Sequence, residues 1–189
     1  MNDRLILAID TSFGPVSGAL LTLTGGVVAS FEADNPAGTQ AETLPPLVAE
    51  MFAAVGASFK QLDRVAVTVG PGAFTGVRVG LAFAKGLRLA TGAAILGVTT
   101  LECLAAQAAR AVPVHRVGVA IDAKRGEVYA QAFDASVVPL TDAAAVAVED
   151  AAASFCEALA RPFVLTGSGA VLLGLDVQVV EAWRVDAKL

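Results

Sequence analysis

One pattern, met twice, restricts this chain more than any other. Ala8-Ile9-Asp10 leads into a turn at Gly14 and an apolar run from Val16; at a constant offset, Ala120-Ile121-Asp122 leads into Gly126 and Val128. A strand ending in aspartate, a tight turn and a second strand therefore recur, which reads as an internal duplication. A chain built this way folds as two related units, here residues 1–111 and a shorter 112–189, with the boundary near Ala111–Pro113. The 189 residues can bury two small cores, and 56% hydrophobic against 16% charged residues excludes a disordered chain.

Local signals fill in each unit. Leu5 to Thr11 and Val16 to Leu23 form a hairpin, and Gly25-Gly26 turns the chain into a third strand, Val27 to Ala33. After the Asn35–Gly38 loop, Thr39 opens a helix with a T-x-x-E capping box to Glu42. Leu44, Leu47, Val48, Met51, Phe52 and Val55 make its apolar stripe, and Pro45-Pro46 predicts a kink in the first turns. Then come a strand (Arg64 to Gly70), a glycine-rich turn, a helix (Gly76 to Ala90), a strand (Ala93 to Thr99) and a helix (Leu101 to Ala111). The second half offers a strand to Asp122, its partner Glu127 to Phe133, a short helix Glu149 to Leu159, and Phe163 to Thr166 before Gly167-Ser168-Gly169. The expected class is α/β, with two βββαβα-like units and mixed sheets.

The residue inventory excludes several chemistries. A net charge of −5 lacks the broad basic footprint of a duplex binder, so strong direct tRNA binding is not expected. Cys103 and Cys156 are too far apart for a C-x-x-C pair, and the single His115 supports neither a histidine metal site nor, without a nucleophile elbow, a hydrolytic triad. The first apolar run is shorter than a signal h-region, and Arg78, Lys85 and Arg88 interrupt the longest membrane candidate; a soluble cytoplasmic protein is expected.

Two segments carry the functional candidates. Asp10, Thr11 and Ser12 place a carboxylate and two hydroxyls at a hairpin, suited to facing phosphate through a Mg²⁺-bound water, or to satisfying turn amides. Gly70-Pro71-Gly72-Ala73-Phe74-Thr75-Gly76-Val77-Arg78 lacks the spacing of a Walker A loop or a dinucleotide fingerprint. Its glycines serve an anion at a helix N-terminus or a tight turn into a helix, and the sequence does not separate the two. The helix that follows is apolar on two sides, Val79, Phe83, Leu87 and Ala90 on one and Val77, Gly80, Leu81 and Ala84 on the other. The Gly76-x-x-x-Gly80-x-x-x-Ala84 ridge invites close approach of a helix, from this chain or from another subunit. Asp122, Lys124, Arg125 and Glu127 decorate the second hairpin as a solvated turn or as a phosphate-facing copy of the first, and Gly167-Ser168-Gly169 offers a further turn or nucleotide contact.

Taken in order, Ile6-Leu7-Ala8-Ile9-Asp10-Thr11-Ser12, the Gly70–Gly80 segment, Gly97-Val98-Thr99-Thr100-Leu101 and Ala120-Ile121-Asp122-Ala123-Lys124-Arg125-Gly126-Glu127-Val128-Tyr129 resemble the glycoprotease-like TsaB (YeaZ) family. The resemblance implies an actin-like ASKHA (ribonuclease H-like) fold. It also implies a noncatalytic dimerisation subunit that pairs with the catalytic subunit TsaD, and with the ATPase TsaE, to make N6-threonylcarbamoyladenosine in tRNA. In that family the catalytic sibling holds its metal with an H-x-x-G-H pair, which is missing here, so ATP, ADP and metal are expected in the partner subunits and no cofactor in this chain alone. Family dimers form through the first two helices, which implies an interface of Leu44, Leu47, Val48, Met51, Val77, Gly80, Leu81 and Ala84, and a homodimer when the chain is isolated. Asp10, Thr11, Ser12, Asp122, Gly167 and Gly169 would then be vestigial phosphate loops. The chain departs from the family in carrying Gly38 where a histidine is common, and in ending at Leu189 without the P-x-Y-x-R close. The competing reading is an ATP-dependent phosphotransferase using Asp10 and Asp122; nothing supports proteolysis.

Overall fold

A computed structural model describes residues 4–34, 39–181 and 185–187. The apolar runs of the first half become β1 (Leu5–Asp10), β2 (Val16–Thr22), β3 (Val27–Ala33), β4 (Leu62–Thr68) and β5 (Ala94–Val98), joined by helices α1 (Gln40–Ala54) and α2 (Phe74–Thr91). Helix α3 (Thr100–Ala111) precedes the second set: β6 (Arg116–Lys124), β7 (Glu127–Asp134), β8 (Ala144–Ala147), helix α4 (Val148–Ala158), β9 (Val164–Thr166) and β10 (Val179–Val180). The strand orders are β3-β2-β1-β4-β5 and β10-β9-β6-β7-β8. In each sheet an antiparallel three-strand meander is followed by a crossover helix that lays the fourth strand parallel to the first. The duplication therefore holds at the level of topology.

Its residue register does not. Residues Leu7 and Ile9 face α1 and join the core with Leu44, Val48 and Phe52. In the second unit it is Gly118 and Ala120 that face α4: a Cβ on Gly118 would meet the Phe155 ring at 3.0 Å, and Ala120 packs in the Phe155 cluster. Ile121, matched to Ile9 by sequence, points to the opposite face. Strand side chains alternate, so a slip of one residue moves every side chain across the sheet.

The division between units also differs from the sequence boundary. The first unit runs to Thr100 and regains residues 185–187, while α3 beyond Thr100 belongs to the second. The expected capping box at Thr39 does not form. The Thr39 side chain caps nothing in α1, and its carbonyl instead accepts from the Glu42 and Thr43 amides, both at 3.0 Å. A capping box forms at Ser58, whose amide donates to Gln61 Oε1 at 2.7 Å. Helix α1 runs unbroken through Pro45 and Pro46, which sit on its exposed side. Gly38 lies outside the described residues.

The α1 stripe corrects the expected interface. Leu44 and Val48 are fully buried and Met51 is 6% exposed, all within the first unit's own core, and Leu47 is half-buried at its edge. Phe52 stacks on Phe59 with ring centroids 4.2 Å apart. Each such side chain contributes about 1.5–3 kcal/mol by leaving water, which a subunit partner cannot claim without unfolding the sheet's cover.

Candidate functional site

The first aspartate turn closes on itself. Asp10, at the end of β1, is 1% exposed, and its Oδ1 accepts from the Ser12 amide at 3.0 Å, from Ser12 Oγ at 2.5 Å and from Thr68 Oγ1 at 2.5 Å. Thr100 Oγ1 adds a longer hydrogen bond to Ser12 Oγ, 3.3 Å. Oδ2 is buried with no hydrogen-bond partner among the described residues. Burial pushes the Asp10 carboxyl above its ordinary value, against the hydrogen bonds from Ser12 and Thr68 that hold it down. Thr68 and Thr100 were not singled out by sequence. The signal available was that Thr68 ends β4 and Thr100 follows the neighbouring parallel β5 by two residues, at the strand ends where side chains converge in open α/β sheets.

The glycine-rich loop serves this turn. Gly70 has φ 99°, a conformation that favours glycine, and its carbonyl accepts from the Thr100 amide at 2.9 Å. A Cβ on Gly72 would lie 2.6 Å from the Ser12 carbonyl oxygen, and one on Gly76 would overlap the Thr11 carbonyl oxygen. The Ala73 amide donates to the Ser12 carbonyl at 2.8 Å, and Thr11 Oγ1 donates to the Gly76 carbonyl at 2.7 Å. The glycines thus make room for the Asp10–Ser12 backbone, as a tight turn into a helix requires. Gly80 belongs to the same contact, since its Cβ would meet Thr11 Oγ1 at 2.6 Å and Val67 at 3.3 Å. The Gly76–Gly80–Ala84 ridge is buried on the unit's own β1 and β4, so Gly80 and Ala84 are not available to another helix; Val77 and Leu81 are half-buried beside them.

The opposite side of α2 is open. Phe74 is 69% exposed and Leu89 is 89% exposed, with Arg78 between them, its guanidinium 3.6 Å above the Phe74 ring. These positions were not among the interface residues expected from sequence, although the helical period places Phe74, Arg78 and Leu89 on one side.

The second aspartate turn has a related plan and a different state. Gly167, with φ 95°, packs where a Cβ would overlap the Ala120 carbonyl oxygen, and the Gly169 amide donates to that oxygen at 2.9 Å. The Asp122 amide donates to Ser168 Oγ at 3.1 Å. The Asp122 side chain, however, faces outward and accepts from the Lys124 amide at 2.8 Å and from Lys124 Nζ at 2.7 Å. The Lys124 hydrogen bonds hold its carboxyl below its ordinary value. Lys124, Arg125 and Gly126 all have positive φ, 70°, 58° and 82°, and Arg125 and Gly126 are exposed at the tip.

Metal chemistry finds no matching donor set. Among the described residues no group of three or more His, Cys, Asp and Glu side chains is placed to hold a metal. Asp10 is surrounded by hydroxyls and amides, and no helix among the described residues is long and apolar enough to cross a membrane.

Two mixed sheets of one strand order, each with an aspartate late in the first strand of its hairpin and a glycine loop behind it, define an actin-like ASKHA fold of two related units. The chain belongs to the tRNA N6-adenosine threonylcarbamoyltransferase (TsaD) family, whose sequence model matches residues 21–172. It is 41% identical over 124 residues to the tRNA threonylcarbamoyladenosine biosynthesis protein TsaB of Escherichia coli (strain K12), covering 66% of this chain and 52% of that protein. The TsaB of Haemophilus influenzae is 33% identical over 129 residues, covering 68% of this chain and 53% of that protein. This chain therefore spans about half the length of the curated relatives it matches. Among solved structures, YeaZ from Pseudomonas aeruginosa superposes with a TM-score of 0.80 at 26% identity, over 98% of this chain and 87% of that one.

Proposed function

We propose that this chain is a noncatalytic, partner-binding subunit in tRNA N6-threonylcarbamoyladenosine biosynthesis, pairing in the cytoplasm with a TsaD-type catalytic subunit and with the ATPase TsaE. The observation that carries the noncatalytic reading is the closed first turn. Asp10 Oδ1 is taken up by Ser12 and Thr68, and the glycine loop packs against the backbone of Thr11 and Ser12, which supports a structural role for both elements. The relatives' names supply the pathway, and the exposed Phe74–Arg78–Leu89 side of α2 supplies a surface on which a partner helix gains burial. ATP, ADP and metal then act in the partner subunits, and this chain alone needs no cofactor.

Mixing the chain with its TsaD partner and resolving the mixture by size exclusion tests the pairing. A stable complex at micromolar concentration is expected, as is a homodimer of the chain alone through the same side of α2. The double substitution Phe74→Ser, Leu89→Ser is expected to abolish both while leaving stability within about 0.5 kcal/mol, since neither side chain is buried in its own unit. Failure to associate would refute the assignment. ATP turnover by the isolated chain, lost in Asp10→Asn, would instead favour a phosphotransferase.

A further inference from the structure

The second unit holds a cleft that neither aspartate turn uses. It is lined by the segments that lead into β6, β9 and β10, three strands that pair in parallel. It therefore sits at the N-terminal ends of those strands, whereas Asp122 and the Gly167 loop stand at the C-terminal ends of β6 and β9. The cleft encloses about 340 Å³, enough for a small ligand.

Each wall is tied through a backbone acceptor. The His115 carbonyl accepts from the Ala135 amide at 2.9 Å, the Gln178 carbonyl from the Leu165 amide at 3.0 Å, and the Asp176 carbonyl from Arg161 Nη1 at 2.8 Å. The Arg161 guanidinium also stands over the Phe163 ring, 5.9 Å from its centroid. Phe163 and Val164 are buried and Val177 is half-buried, which gives the cleft an apolar floor.

Two opposite charges line this cleft without meeting. Arg161 uses one N–H on the Asp176 carbonyl and forms no ion pair among the described residues, so most of its five donors are unused. The Asp176 carboxylate has neither a hydrogen bond nor an ion pair among the described residues. A guanidinium repels a bare cation and a carboxylate repels a bare anion. A ligand that carries both charges finds a partner for each.

We propose that this cleft binds a small zwitterion, a free α-amino acid with an apolar side chain. Its carboxylate lies on the Arg161 fork, its ammonium on the Asp176 carboxylate, and its side chain on Phe163, Val164 and Val177. The inference goes beyond the proposed function and does not depend on it. Arg161 holds the carbonyl of the very residue whose carboxylate receives the ammonium. The two charges therefore stand within one residue of each other, a spacing suited to groups on a single carbon rather than at the ends of a longer chain. His115 and Gln178 add hydrogen-bonding side chains to the lining.

The probe is L-leucine, titrated into the full chain and followed by amide NMR shifts. Saturable shifts are expected at Val114, Phe163 and Val177, with half-saturation on the order of 1 mM. L-leucine amide lacks the carboxylate, N-acetyl-L-leucine lacks the ammonium, and glycyl-L-leucine holds its charges further apart. Each is expected to bind at least about tenfold more weakly. Asp176→Asn is expected to leave the melting temperature nearly unchanged, because that carboxylate makes no bond of its own, and to weaken L-leucine at least about tenfold. Arg161→Lys keeps the charge but loses the fork, and a similar loss is expected. No saturable shift up to about 50 mM, affinity unchanged in Asp176→Asn, or equal binding of any of the three analogues would overturn the proposal.

Discussion

The turn at Asp10 and the turn at Asp122 share a plan and differ in state. Asp10 ends the first strand of its hairpin and Asp122 lies two residues before the end of its own, and behind both a glycine loop from the neighbouring parallel strand presses on the hairpin backbone. At Asp10 the loop, two threonines and a serine seal the carboxyl from water, so burial decides its chemistry. At Asp122 the carboxyl points outward to Lys124, so a neighbouring charge decides it. The lesson is that one topological device can be a structural clasp in one unit and a solvated turn in the other. The difference lies in which face of the strand carries the acid.

The comparison breaks first at the glycines. Gly76→Ala puts a methyl group into the Thr11 carbonyl, backbone against backbone, and is expected to cost about 3 kcal/mol by chemical denaturation, the upper end for overpacking. Gly126→Ala in the second turn has open space around it and is expected to cost only the left-handed conformation, about 1–2 kcal/mol. Equal losses would show that the first turn is not held by close packing.

The two carboxyls are expected to tilt stability in opposite directions with pH. Asp10 has its folded value raised above the ordinary 3.8, so the folded chain keeps a proton that the unfolded chain has lost. Stability therefore falls as pH rises from about 4 through the raised value. Asp10→Asn, which keeps an acceptor at Oδ1 without the charge, is expected to melt above the parent at pH 7, with the gap closing toward pH 4. Asp122 is lowered below 3.8, so its contribution is present above that value and fades as pH falls through the folded value. Asp122→Asn is expected to melt slightly below the parent at pH 7 and to converge with it only in acid. Carboxyl titrations by NMR with the same sign at both residues would remove the distinction.

The smallest effect is expected at the tip of the second hairpin. Arg125 takes a φ of 58°, which asparagine adopts more readily. Arg125→Asn should raise stability by about 1 kcal/mol in a thermal melt, without altering partner association. A loss of association would give this turn a binding role that its exposure alone does not.

Much of the architecture was legible in local chemistry. Gly25-Gly26 and Arg125-Gly126 mark hairpins because few residues tolerate the turn conformations required. The Leu44–Val48–Phe52 stripe marks a helix that covers something, and the recurrence of Ala-Ile-Asp marks the duplication. The role of that stripe was not legible, because an apolar helix face looks the same whether it covers its own sheet or another subunit. Leu44, Val48, Gly80 and Ala84 were expected at an interface and are buried in the first unit, whereas Phe74 and Leu89, on the other side of α2, are the exposed ones. Nor could the capping box at Thr39 be told from the one at Ser58 by residue type; backbone geometry chose the second.

The sequence by itself determined the class of fold, the two-unit plan and the residue types at each aspartate turn, because these rest on local propensities and on periods of two and 3.6 residues. Only the tertiary structure decided which side of each strand meets its helices, and so why Asp10 is sealed and Asp122 is not. Alternation says that neighbouring side chains point to opposite faces, but not which face the crossover helix will cover. A glycine likewise announces room without saying what fills it. At Gly72 and Gly76 the occupant is the backbone of Thr11 and Ser12, a contact between segments far apart in the chain and set only when the sheet has formed.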